Sequence, residues 1–217
     1  MEPVSPSITA QRKSRRSVIW RALVAGAASL ALPRLAWAGG QIEEALADSV
    51  RTALSSAIRY AAPPIPEFPD TESRLVYLRW LGAMSQRLQS KKTDWESRRE
   101  FLQSVWYESH RAGLDTATVL GLIQVESNFR QFAVSSVGAR GYMQVMPFWT
   151  RQLANGDPST LFHMQTNLRF GCVILRHYLD VEQGDWMMAL GRYNGSRGKA
   201  EYPNAVLAAK RNWQFSG

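Results

Sequence analysis

Residues 115–147 read D-T-A-T-V-L-G-L-I-Q-V-E-S-N-F-R-Q-F-A-V-S-S-V-G-A-R-G-Y-M-Q-V-M-P. A helix is expected to begin at Asp115 and to run through the apolar stretch from Thr118 to Val125. Ser127 and Asn128 are poor interior residues, so the helix is expected to end just past Glu126. Loops or a short β element follow over about 128–142. Counting back from Glu126 by three, four and seven positions gives Ile123, Leu122 and Val119, all on its helical face. A carboxylate there is poorly solvated, which raises its pKa, and the negative end of the helix dipole adds to the effect. A proton held near neutral pH is what a general acid needs. On the residues alone, a cap or an ion pair at the helix end is the commoner fate of such a carboxylate.

Outward from this stretch the chain is mainly α. Ile42, Leu46, Val50, Leu54 and Ile58 form one apolar stripe, which predicts an amphipathic helix over 41–60. Residues 61–70 contain four prolines and cannot be helical, so they read as a linker or draped arm. A second helix is expected after Asp70 or Thr71, with Leu75, Leu78, Leu81, Met84 and Leu88 inside. A third runs from an Asp94 cap to a Gly113 stop. Further helices are expected at about 147–154, 166–182, 185–193 and 203–214. The sequence divides into a leader (1–38), a helical N-terminal extension (39–93) with its Pro-rich linker near 61–70, and a main domain (94–217).

The leader has the three parts of an export signal in order. Residues 11–16, Q-R-K-S-R-R, are basic, residues 22–32 are apolar, and Ala36-Trp37-Ala38 is an A-x-A cleavage pattern. The apolar run is too short for the roughly 20 residues of a membrane span. Cleavage after Ala38 and a periplasmic location are expected. Ser14-Arg15-Arg16 also resembles the start of a twin-arginine signal, which leaves the general secretory and twin-arginine routes both open.

The chain has 217 residues and a net charge of +8. Residues 1–38 hold six basic side chains and one acid, so +5 of that charge sits in the leader. No dense basic stripe remains, which argues against a nucleic-acid partner. The 8 Trp, 7 Tyr and 8 Phe suit a core and also suit sugar recognition, because a ring face covers the apolar face of a pyranose. Cys172 is the only cysteine, lies in an apolar run, and reads as a buried small hydrophobe. His110, His163 and His177 lack metal-ligand spacing, so neither a metal nor another cofactor is expected.

The stretch from Val125 to Pro147 resembles the signature of the soluble lytic transglycosylases, cell-wall enzymes with a goose-type-lysozyme-like fold. A Glu-Ser pair ends a helix, an A-V-S-x-x-G-A-x-G loop follows, then G-x-M-Q-x-M-P, and downstream comes Arg192-Tyr193-Asn194-Gly195. The resemblance covers roughly 105–210. It implies that Glu126 is the catalytic acid and base, followed by Ser127. It implies that Ser135 bonds near the N-acetyl group of the reacting sugar. Gly138 and Gly141 shape the loop, and Gln144 and Met146 line the cleft. Tyr193 is then the tyrosine facing the carboxylate, with Asn194 beside it. Tyr142, Phe148-Trp149 and the immediate Gly195 depart from the family pattern, which bears on cleft shape.

No acid lies between Glu126 and Pro147; Asp157, Asp180 and Asp185 come later. A single acid fits the mechanism the resemblance implies, in which the bond between N-acetylmuramic acid and N-acetylglucosamine is cleaved to a 1,6-anhydro end. A muramidase hydrolysing the same bond is the first alternative, and a non-catalytic envelope scaffold is the second. The expected partner is the glycan strand of peptidoglycan, with an envelope protein met through the N-terminal helices as a further expectation. A monomer is expected.

Overall fold

The computed structural model describes Gln41, Thr52 and residues 66–151 and 157–216. These fall within one compact unit, Leu35–Gly217. The leader, the helix expected over 41–60 apart from Gln41 and Thr52, and residues 61–65, 152–156 and 217 lie outside the described residues.

The architecture is helical. Helix α1 (Thr71–Leu88) is followed by α2 (Trp95–Arg111), α3 (Thr116–Ser127) and the short α4 (Phe148–Arg151). A 3-10 turn (Pro158–Phe162) leads to α5 (Met164–Val181), α6 (Trp186–Asn194), α7 (Glu201–Lys210) and a final 3-10 turn (Arg211–Trp213). Among the described residues, β structure is confined to isolated bridges pairing Val134 with Arg140 and Arg140 with Val145. Also among them, no helix is long and apolar enough to cross a membrane.

Four aspartates start helices. Asp70, Asp94, Asp115 and Asp185 each accept a hydrogen bond from a backbone N–H two or three residues ahead, which satisfies a donor the helix leaves orphaned. At its other end α2 closes through Gly113, whose φ of +63° lets the Leu114 N–H reach Ser109 O at 2.8 Å.

One hydrophobic core runs through all the long helices. In α1, Leu81, Met84 and Leu88 are buried as expected, but Leu75 and Leu78 are exposed, and Tyr77 and Trp80 take the inward face. Helix α1 packs on α2, α2 on α5, α5 on α6, and α6 on α7. Arg87 of α1 donates to the carbonyls of Asn212 and Gln214, which ties the end of the chain down. Arg169 of α5 makes a two-pronged ion pair with Glu108 of α2, both nearly fully buried. Cys172 is a buried free thiol.

Helix α3 packs most closely against α7. A Cβ added at Gly121 would lie 2.6 Å from Lys210 N and 2.9 Å from Val206 O. Only a residue without a side chain admits that approach, and it brings the start of α7 onto the end of α3.

Candidate active site

Glu126 sits in the last turn of α3, which ends at Asn128 in the left-handed conformation (φ 49°). Val119, Leu122 and Ile123, on the same face, are fully buried. Glu126 itself is only 6% exposed. Burial pushes its carboxyl pKa up to about 8, and a hydrogen bond from Tyr202 offsets part of that rise. The Tyr202 hydroxyl donates to Oε1 at 2.5 Å. The other oxygen, Oε2, is buried with no hydrogen-bond partner among the described residues. One carboxyl oxygen is therefore held by Tyr202, and the other carries no hydrogen bond among the described residues.

The loop after α3 wraps around a few polar side chains. Gln144, buried and itself at a positive φ of 50°, donates through Nε2 to the carbonyls of Ala133 (3.2 Å) and Gly141 (3.0 Å). Ser135, half-buried, accepts from Ala139 N at 3.0 Å. Gly141 has φ +77°, and a Cβ there would lie 2.3 Å from the Asn167 amide nitrogen. Asn167 occupies that space. Its Nδ2 donates to Arg140 O (2.8 Å) and Leu161 O (2.9 Å), and its Oδ1 accepts from Met143 N (2.8 Å). Gly138, at φ +88°, faces open space.

Tyr193 of α6 donates to Met143 O at 2.8 Å. Its own pKa is raised well above the ordinary value by burial first and by the Glu126 charge second. Tyr193 therefore stands near the carboxylate, but the hydroxyl bonded to Glu126 belongs to Tyr202. Asn194 donates to Ser196 Oγ at 3.0 Å, and its Oδ1 is buried with no partner among the described residues. Ser127 is buried and donates its hydroxyl to Ile123 O at 3.2 Å, spending it inside its own helix. Met146 is half-buried against the core.

Two side chains hold this assembly from outside the motifs. Gln41, buried, accepts through Oε1 from Trp149 Nε1 (2.8 Å) and Met146 N (3.3 Å). Its Nε2 approaches Gln144 O at 3.5 Å, and its side chain also meets the Tyr193 hydroxyl. Glu182, just after α5, receives both Arg192 and Arg197 at 2.7 Å, bracketing Asn194. These arginines hold its carboxyl well down, at about 2.

Of the five acids that follow Glu126 in the sequence, the three weighed above as partners are engaged elsewhere. Asp157 caps the first 3-10 turn, Asp180 pairs with Arg176, and Asp185 caps α6. None is hydrogen-bonded to Glu126.

Sequence reasoning singled out Glu126, the 135–146 loop and the Tyr193-Asn194 pair; the fold joins Tyr193 to the loop at Met143 O and sets it near Glu126, whereas Ser135 bonds to Ala139 and Asn194 to Ser196. It missed Tyr202, Gln41 and Asn167. Tyr202 lies one residue before the helix predicted from 203, and its pairing across 76 positions leaves no local trace.

Residues 104–214 match the family described as "Transglycosylase SLT domain". The chain belongs to the SLT-domain family. The matched span nearly coincides with the motif-bearing stretch, and the mainly helical lysozyme-like class follows. The SLT domain here is 32% identical over 94 residues to a membrane-bound lytic murein transglycosylase C of Haemophilus influenzae (strain PittEE), a match of 38% of this chain and 26% of that protein. It is also 32% identical over 114 residues to the transglycosylase of Enterobacteria phage PRD1, covering 47% of this chain and 42% of the relative. The chain thus matches less than half the length of either. Among solved structures, the lytic transglycosylase Slt of Pseudomonas aeruginosa, in an inactive mutant form, aligns at a TM-score of 0.41 and 17% identity, over 81% of this chain and 36% of its own.

Proposed function

We propose that this SLT-domain protein is a peptidoglycan lytic transglycosylase in which Glu126 is the single acid and base. The observation that carries this is a carboxyl group buried among aliphatic side chains, with a pKa near 8, one hydroxyl donor and one oxygen free of hydrogen bonds among the described residues. Such a group is protonated at neutral pH, as a general acid in glycoside cleavage must be. The names of the relatives point to murein as the substrate.

The steps use this chain's residues as follows. Protonated Glu126 gives its proton to the oxygen linking N-acetylmuramic acid C1 to N-acetylglucosamine, and the C1–O bond breaks. The muramyl N-acetyl oxygen closes on C1 and takes up the positive charge. Glu126, now a carboxylate steadied by Tyr202, removes the proton of the muramyl 6-hydroxyl. O6 then bonds to C1, displaces the N-acetyl oxygen, and leaves a 1,6-anhydro ring. Every atom is conserved, and water is not consumed. Ser135, Gly141, Gln144, Met146, Tyr193 and Asn194 are assigned to the sugar cleft, Gly141 and Gln144 chiefly by shaping its wall. Ser127, assigned to the same site by its place beside Glu126, acts through the helix end rather than through its hydroxyl.

Purified sacculi digested with the chain test this. Muropeptides lighter than hydrolytic ones by one water are expected. Reducing ends would mean a muramidase, and binding without products would mean a wall-binding scaffold. Two-carboxylate hydrolysis is disfavoured because Asp157, Asp180 and Asp185 are each committed to a cap or an ion pair.

We place the protein in the periplasm on the strength of residues 11–38, with 39–93 as an N-terminal extension and 94–217 as the catalytic domain. An envelope partner for the extension remains part of this proposal. N-terminal sequencing of the exported form should begin at Gly39.

A further inference from the structure

We propose that Gln41 is a positioning residue of the Glu126 site, supplied from outside the stretch that matches the family. The inference rests on the transglycosylase reading above. Its carboxamide is buried and joins four groups. Oε1 accepts from Trp149 Nε1 and Met146 N, while the rest of the amide reaches the Gln144 carbonyl and the Tyr193 hydroxyl. Gln144, Met146 and Tyr193 are three of the residues assigned to the cleft. The family match begins only at residue 104.

The geometry favours a permanent part over a removable plug. Trp149 is fully buried, and its indole N–H is satisfied by Gln41. Withdrawing Gln41 would leave that donor and the Met146 N–H without their acceptor, which is costly in a dry interior. Tyr193 donates to Met143 O, so the amide that holds Met146 and Trp149 steadies the 143–149 segment on which the tyrosine near Glu126 rests. A cleft wall displaced by a fraction of an ångström loses turnover before it loses binding.

The test uses the full chain with Gln41→Met, which keeps the length and removes both polar functions, and Gln41→Glu, which keeps an acceptor for Trp149 and Met146. Turnover on sacculi is read as kcat and KM, with thermal melting and the Trp149 indole N–H resonance beside it. Gln41→Met should lower kcat at least about tenfold, change KM by less than about threefold, and displace the indole resonance. Gln41→Glu should restore the resonance and part of kcat. Activity of Gln41→Met within about twofold of the parent overturns the inference, as does a faster enzyme, which would make Gln41 an obstruction. Equal impairment of the two variants also overturns it. Should Gln41→Met not fold, Gln41→Asn decides by the same readings, since its amide falls one methylene short. A parent chain that releases no sugar product sinks the proposed function itself. A normally active parent beside an unaffected Gln41→Met sinks this inference alone.

Discussion

Glu126→Gln keeps the size of the side chain and removes the proton that titrates. Turnover should vanish, and stability should move the other way. The folded carboxyl has a pKa of about 8 against an ordinary 4.5, so the folded state holds a proton that the unfolded chain releases in between. The associated stability is full below 4.5 and is lost as pH rises through 8. At neutral pH the parent therefore pays of order a few kcal/mol that the Gln variant does not. Melting curves should separate at pH 7 to 8, with the variant higher, and converge near pH 4. Identical curves across that range would refute the buried acid. Tyr202→Phe removes the one contact that lowers this pKa, so the alkaline limb of the pH–rate profile should shift upward while the maximum falls. The burial of Glu126 was legible because its setting is local, three, four and seven positions along one helix, whereas its role was implied only by the family resemblance. Tyr202 was not, because its contact with Glu126 exists only once α7 crosses α3. Gln144 shows a subtler limit. The family resemblance assigned it to the lining of the cleft, and its amide, at a positive φ, is spent on the carbonyls of Ala133 and Gly141.

At the scale of elements, the Asp caps made helix starts readable: each of the four begins within a residue of its predicted place. Inward faces were less so. Alternation of leucines in α1 pointed to Leu75 and Leu78, whereas the aromatic pair Tyr77 and Trp80 buries more area and sets the rotation of the helix. The 3-10 turn Pro158–Phe162 has too few residues for periodicity to reveal. The α3–α7 contact gives a sharp prediction. Gly121→Ala places a methyl against the Lys210 and Val206 backbones and must push the helices apart. A loss of about 1–3 kcal/mol in chemical denaturation is expected. Activity should fall further than this, because Tyr202 rides on α7. Wild-type turnover in Gly121→Ala would show that the spacing of the two helices does not matter to Glu126.

For the molecule as a whole, composition and periodicity correctly indicated a helical protein with one apolar interior. They could not indicate that Glu108 and Arg169, 61 positions apart, meet inside it. Removing one partner strands the other in a dry setting, so Arg169→Met should cost about 3–5 kcal/mol. The double variant Glu108→Leu with Arg169→Met should recover most of that loss in urea unfolding. A single variant as stable as the parent would show that the pair is better solvated than its burial indicates.

Glu182, clasped by Arg192 and Arg197, binds its proton only near pH 2, whereas Glu126 gives its own up near 8. About six pH units separate the two titrations. Across that interval the brace flanking Asn194 carries the same charge at every acidity, so a drift in catalytic rate between mild acid and neutrality reports the reacting carboxyl and not a loosening frame. The same brace is an exposed cluster of opposite charges on its arginine side. Concentrated salt, which leaves a buried carboxyl untouched, is the solvent variable that should slacken it.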